Sequence, residues 1–306
     1  MAQSDGAGAD KGVIGEMAAL GCAFTWALTS ILIKQPVIRM GAVSVNTLRT
    51  WTGAAVFLTL LLATGKVGAL LALPPYTVFA LVFSMAIGLG IGDTLYFQSV
   101  KLIGVSRALP ISGSYPLPTL LLAIIWLGEP VTWRHALGTV LVVASIYLIS
   151  LPNGKNGVAS ASQRDARRGV FLAALAGVLW ATSTALLKSG VGDTDVVVAN
   201  SVRLPAAGLV LLSMVLRQPG GFRVRNAEAG TVAIVVLSGI AGTALGSVLY
   251  LTAVIHAGAA KAATLQSVSP FFAAPLAFLF LREPIAPATL AGTVLSVAGV
   301  WLLLGM

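Results

Sequence analysis

Charged positions divide this chain into long apolar stretches with short polar breaks. Ten stretches lack Asp, Glu, Lys and Arg: residues 17–33, 50–65, 67–92, 108–128, 135–154, 169–187, 204–216, 229–260, 262–281 and 284–306. A charge at a bilayer centre costs about 2.5–3.5 kcal/mol, so such gaps mark candidate membrane spans. A hydrocarbon core of about 30 Å needs about 20 helical residues, and all but the second and seventh gaps supply them. Those two reach the length only by extending backward through Arg49 to Val43 and through Arg203 to Val197. The pattern predicts an all-α membrane protein of ten transmembrane helices joined by short loops, of which the longest is 151–168. Residues 1–12 are polar and read as disordered. The first span lacks the net positive flank of a signal peptide, with Asp5, Asp10 and Lys11 before it, and reads as a retained helix.

The second half of the chain repeats the first. At a constant shift of 154 residues, Trp26 matches Trp180, Lys34 Lys188, Asn46 Asn200, Arg49 Arg203, Gly88 Gly242, Gly92 Gly246, Tyr96 Tyr250, Pro116 Pro270 and Glu129-Pro130 Glu283-Pro284. A duplication explains this best. Residues 13–150 and 169–306 are then two repeats of five spans each, with 151–168 as linker. Because five is odd, the second repeat enters the bilayer from the opposite face. Inverted repeats about a pseudo-twofold axis in the membrane plane are an architecture of secondary transporters, with the binding site near the midplane.

Composition narrows the function further. Hydrophobic residues make up 57% of the chain and charged residues 9%, too little polar surface for a water-soluble enzyme of this size. The net charge is +9, but its 19 Lys and Arg are scattered singly, which excludes a nucleic-acid stripe. The lone Cys22 forms no intrachain disulfide, and His135 and His256 show no metal-ligand spacing. No nucleotide motif, metal centre or other cofactor is indicated, and nothing specifies an oligomeric state. No G-x-S-x-G occurs and neither histidine has an evident acid partner, which leaves an intramembrane enzyme as a remote alternative.

The Trp26 to Lys34 pattern with its copy Trp180 to Lys188, the run Gly104-Val-Ser-Arg-Ala-Leu, and Leu127-Gly-Glu-Pro followed by Gly138-Thr resemble the drug/metabolite transporter superfamily, in particular its EamA-type members. The resemblance covers nearly all of the chain after residue 12. It implies a ten-helix carrier of small metabolites in the cell membrane, with a cavity lined mainly by the first, third and fourth helices of each half. It also implies cytoplasmic termini. With that orientation, six of the 19 Lys and Arg fall inside and the rest outside, opposite to the positive-inside rule.

Polar residues within the spans are the candidate binding groups. Trp26, Ser30 and Lys34 are spaced to share one helix face, as are Trp180, Thr184 and Lys188. Each set reads as a cavity wall, or else as a seam of small hydroxyls ending in an interfacial lysine. Tyr96 and Tyr250 extend the set. Pro116 and Pro270 free the carbonyls of Ser112 and Gln266 beside Ser114, Tyr115, Ser267 and Ser269, which a membrane tolerates where protein or cavity water satisfies them.

Asp93 is the one carboxylate well inside a predicted span. It reads as a proton-coupling or substrate-ammonium site, or as an ion-pair partner of Lys101 or Arg107. Glu16 is a weaker candidate of the same kind. Arg49 and Arg203, with Asn46 and Asn200, read as snorkelling to the interface or as binding an anionic group. Glu129 and Glu283 read as structural charges at the start of the next helix, and the GxxxG spacings at Gly88 and Gly242 as close packing.

Together these readings describe a secondary transporter, an exporter, of small polar metabolites such as amino acids, working between inverted repeats in a lipid bilayer. A proton-coupled exporter of cationic drugs is the alternative.

Overall fold

A computed structural model describes residues 2–103, 108, 111–149, 163–218, 221–281 and 287–304. Those residues form helices without strands. The first half contains α1 (Ala2–Leu32), α2 (Lys34–Met40), α3 (Ala42–Ala63), α4 (Val67–Leu71), α5 (Pro75–Met85), a π-helical segment (Ala86–Gly92), α6 (Asp93–Ile103), α7 (Pro116–Ile125) and α8 (Trp133–Ile149). The second contains α9 (Gln163–Val191), α10 (Val196–Arg217), a 3₁₀ turn (Arg223–Asn226), α11 (Ala229–Ser238), a second π segment (Gly239–Leu245), α12 (Gly246–Ala257), α13 (Ala259–Gln266), α14 (Ser269–Leu281) and α15 (Pro287–Leu304).

Among the described residues, six helices are long and apolar enough to cross a membrane: Gly12–Thr29, Ala42–Ala63, Pro75–Tyr96, Gln163–Val191, Val196–Arg217 and Ala229–Ala257. Shorter apolar helices occupy Ile111–Ile125, Trp133–Ile149 and Leu290–Leu304, where further spans were expected. The outer surface is rich in large apolar side chains such as Leu62, Ile125, Leu237 and Trp301, as a lipid-facing surface requires. The interior is rich in alanine, with Ala19, Ala23, Ala176, Ala181, Ala262 and Ala263 fully buried. Small side chains let helix axes approach closely where no hydrophobic effect drives helices together.

The structure differs from the sequence-based expectation in several places. α1 is already helical at Ala2, through the stretch expected to be disordered. Once a helix exists, each added residue gains a hydrogen bond without a new nucleation cost. α9 begins at Gln163, inside the expected linker; residues 151–162 lie outside the described residues. The third span starts at Pro75 instead of residue 67, because Pro74-Pro75 ends one helical run and opens another, with Pro75 in the first turn of α5. It then continues without interruption through the π segment to Ile103, which moves Asp93 from the end of a span towards its middle. α3 and α10 do extend backward through Arg49 and Arg203, to Ala42 and Val196.

Cross-half contacts come in reciprocal pairs at the 154-residue shift. Gly15 packs on Ala257 and Gly169 on Ile103; Trp26 on Gly246 and Trp180 on Gly92; Thr29 on Gly242 and Ser183 on Gly88; Gly138 on Leu303 and Gly292 on Ile149. Such exchange is the signature of a twofold relation. The equivalent helices α3 and α10 run antiparallel, since Trp51 lies on Gly208, Gly53 on Leu204, and Phe57 accepts a hydrogen bond from Ser201. α8 and α15 are likewise antiparallel, Gly138 meeting Gly299 and Leu303 while Gly292 meets Ser145 and Ile149. The two halves therefore point in opposite directions.

Candidate functional site

Each half lays its first helix across the π segment of the other half's third helix. The glycines there leave no room for side chains: a methyl at Gly246 would lie 2.7 Å from Trp26 Nε1, and one at Gly92 would lie 2.9 Å from the Trp180 ring. A π turn widens the helix and is frequent at functional sites. At both crossings the segment or its edge supplies a carbonyl to the partner helix. Gly242 O accepts from Trp26 Nε1 at 3.2 Å, and Ser84 O accepts from Ser183 Oγ at 2.6 Å.

Seven of the expected site residues meet in a connected cluster between the halves. Trp180 Nε1 donates to Asp93 Oδ1 at 2.9 Å, and its ring lies 5.5 Å from that of Tyr96 and 6.1 Å from that of Tyr115. One turn further along α9, Thr184 Oγ1 shares a 3.1 Å hydrogen bond with the Tyr250 hydroxyl. The Tyr250 ring in turn lies 6.0 Å from Trp26. Tyr115 is anchored by donating its hydroxyl to Ala263 O at 3.1 Å.

The cluster departs from twofold symmetry where Tyr115 and Thr184 match Ser269 and Ser30, and most sharply at Asp93. The first half supplies Asp93 as the acceptor for Trp180, whereas Ser247 stands at the matching place and Trp26 turns to a backbone carbonyl. Asp93 thus engages an indole. Of its alternative ion-pair partners, Arg107 and the side chain of Lys101 lie outside the described residues.

Other expected site residues go elsewhere. Lys188 Nζ donates to Ile255 O at 2.8 Å, near the C-terminal end of α12, so it acts as a helix-end cation. The chain does break before each repeat-matched proline, between residue 113 and Pro116 and between α13 and α14. The carbonyl of Ser112 is not left free, because the turn tightens and Tyr115 N reaches it at 3.1 Å. Ser112 Oγ donates to Ala108 O, and Ser267 Oγ to Thr264 O. Gln266 is buried and its Nε2 has no hydrogen-bond partner. Ser269 opens α14, half-buried. The side chains of Ser30 and Lys34 lie outside the described residues, and α1 ends at Leu32, which interrupts the expected i, i+8 face.

Of the two readings of Arg203, snorkelling to the interface or binding an anionic group, the first does not fit its burial, since it is only 4% exposed. It sits 5.3 Å over the Tyr250 ring, donates to Asn200 Oδ1 at 3.3 Å, and touches Met85 Sδ of the first half at 3.6 Å. Its position one turn beyond Asn200 in α10 was legible; its inward direction was not.

One end of the bundle ties the halves together. Lys261 Nζ pairs with Glu16 Oε1 at 2.5 Å, so Glu16 is an ion-pair partner and not a lone acid. Glu129 does sit at a helix N-terminus, but not that of the helix following Pro130, which begins only at Trp133. Its two oxygens accept from the amides of Ala259 (2.6 Å) and Ala260 (3.2 Å) of α13. Gly258, at φ +83°, lies against this carboxylate, where a methyl would come within 2.9 Å of it. Glu283 lies outside the described residues. At the start of α10, Asp195 caps Val197 and Val198 and pairs with Lys66 at 2.7 Å.

Two cavities lie apart from the seven cluster residues, none of which lines them. One, of about 560 Å³, is lined among others by Leu117, Val143 and Tyr147. The other, of about 270 Å³, is lined by the repeat-matched Phe271, Val297 and Trp301. Both are apolar grooves between the fourth and fifth helical regions of a half, and Ser114 faces the larger one. Among the described residues, no group of three or more His, Cys, Asp and Glu forms a metal site.

The sequence pattern of the EamA-like transporter family matches residues 13–151 and 167–305, one match per half. An uncharacterized transporter of Archaeoglobus fulgidus is 30% identical over 287 residues, covering 93% of this chain and 96% of that protein. An uncharacterized inner membrane transporter of Salmonella typhimurium, YicL, is 32% identical over 95 residues, 31% of this chain and 32% of its own. A solved crystal structure aligns with a TM-score of 0.76 at 19% identity, covering 96% of each chain, and supports the fold.

Proposed function

The chain belongs to the EamA-like transporter family and is a multi-pass membrane protein, and from that premise we propose that it is a secondary exporter of small polar metabolites such as amino acids. The ten predicted spans form two inverted five-helix repeats, and transport proceeds by rocking one half against the other about the cluster of Asp93, Tyr96, Tyr115, Trp180, Thr184, Tyr250 and Trp26. The observation that carries this reading is the reciprocal packing of each first helix on the other half's glycine-rich π segment. Contacts of small groups across such a seam can slide, and they exchange between equivalent partners as the halves tilt. Asp93 carries the coupling proton in this scheme, and protonation changes what it accepts from Trp180.

The second reading, a proton-coupled exporter of cationic drugs, is favoured by the same carboxylate. Asp93 offers one oxygen to an indole, which leaves its charge available to an ammonium group.

Flux into liposomes decides between them. Purified protein is reconstituted with an imposed pH gradient, and uptake of labelled glycine and of a labelled quaternary-ammonium dye is followed. Glycine movement that collapses with the gradient supports the metabolite reading, and dye movement alone supports the second. No movement of any solute under any gradient would overturn both.

A further inference from the structure

Among the described residues, no carboxylate pairs with the buried cation Arg203. The described ion pairs are Arg39 with Glu228, Lys66 with Asp195 and Lys261 with Glu16, and none involves it. A guanidinium has five N–H donors. One reaches Asn200, another reaches only a thioether sulfur, and Nε is buried with no partner at all. Burying a charge is costly unless it is paired and hydrogen-bonded. A buried donor left over in this way calls for an explanation, and a partner that is not part of the polypeptide supplies one.

We propose that Arg203, with Asn200 and Tyr250, forms a subsite for a carboxylate group of the transported molecule. The planar fork of arginine matches a carboxylate with two parallel hydrogen bonds, and the unpartnered Nε is one of the donors such a pairing uses. Position supports the role. Met85 of one half and Tyr250 of the other both touch the guanidinium, and Tyr250 connects it to Thr184 and Trp26 of the central cluster. The inference rests on the carrier reading and narrows its substrates to small carboxylates.

The test is thermal melting of the purified full chain with acetate, glycine and malate, beside acetamide and ethylamine as matched controls. Carboxylates raise the melting temperature of the wild type, as any ligand of the folded state does, and the controls do not. In Arg203→Met the concentration of carboxylate needed for the same shift rises at least tenfold. Its ligand-free melting temperature equals or exceeds that of the wild type, because an unpaired buried charge has been replaced by a packing side chain. Arg203→Lys keeps the charge and loses the fork, so its response also falls.

The subsite is overturned if no carboxylate shifts the wild type or if the Met variant responds like the wild type. It is equally overturned if the Met variant is unstable without ligand, which would make Arg203 structural. These outcomes are separable from failure of the carrier reading. A wild type that moves acetamide or ethylamine into liposomes but ignores carboxylates remains a carrier with no such subsite.

Discussion

Trp26 and Trp180 occupy matched places, yet their indoles end on a backbone carbonyl and on a carboxylate respectively. Asp93→Asn keeps an acceptor for Trp180 and removes the titrating charge. Such a variant is expected to exchange solute across liposomes at equal pH while losing accumulation driven by a pH gradient. Asp93→Leu leaves the indole N–H without a partner and is expected to lower stability by about 1–3 kcal/mol, read by thermal melting. Asp195 gives a pH prediction outside the spans. Burial opposes its ionisation, but the Lys66 ammonium and the amides of Val198 and Val197 outweigh that and hold its pKa below 3.8, the value for a free carboxyl. The stabilisation is therefore full above that value and is lost as pH falls through the lower folded pKa. In Asp195→Asn the acid-side loss of melting temperature is expected to be smaller. At this scale the aromatic and acidic members of the cluster were legible in the sequence, because intramembrane polarity and repeat matching both mark them. The direction of Arg203 was not, because a single helix pattern does not say which neighbour covers it.

The π segments are the elements on which the halves meet. The glycines in and beside them are needed because the opposing indoles and hydroxyls already fill the space, and Gly246→Ala, at the start of α12, would force Trp26 aside. Overpacking of this kind costs about 1–3 kcal/mol, so a clear drop in melting temperature is expected, together with slower flux. Charge-free gaps predicted the backward extension of α3 and α10 well, since only a helix that includes the arginine is long enough to span. Gaps failed where backbone chemistry decides. Pro74-Pro75 starts α5 irrespective of charge, and the widening to π geometry at residues 86–92 and 239–245 has no counterpart in hydropathy. The capping of α13 by Glu129 was missed for another reason. It joins residues 130 positions apart, and local helix signals identify only the helix that follows in the chain.

On the scale of the whole molecule, α3 against α10 and α8 against α15 run antiparallel, as duplication with an odd span count predicts. The Glu16–Lys261 pair, with side chains only 13% and 20% exposed, joins the first span to the second half at one end. Glu16→Ala leaves the ammonium partly buried and alone, at a cost of about 2 kcal/mol. Glu16→Lys combined with Lys261→Glu is expected to recover much of the melting temperature that either single change loses.

That tie also has no twin, because Val170 stands where the repeat would need a second Glu16. In the proposed mechanism, two copies related by a perfect twofold axis would by themselves make the inward-open and outward-open forms equal in free energy. Unmatched residues such as Glu16 and Asp93 are then expected to tip the balance. Under that mechanism the resting orientation is expected to follow from charged residues that lack a repeat partner, and moving the acid from residue 93 to residue 247 is expected to reverse part of that bias.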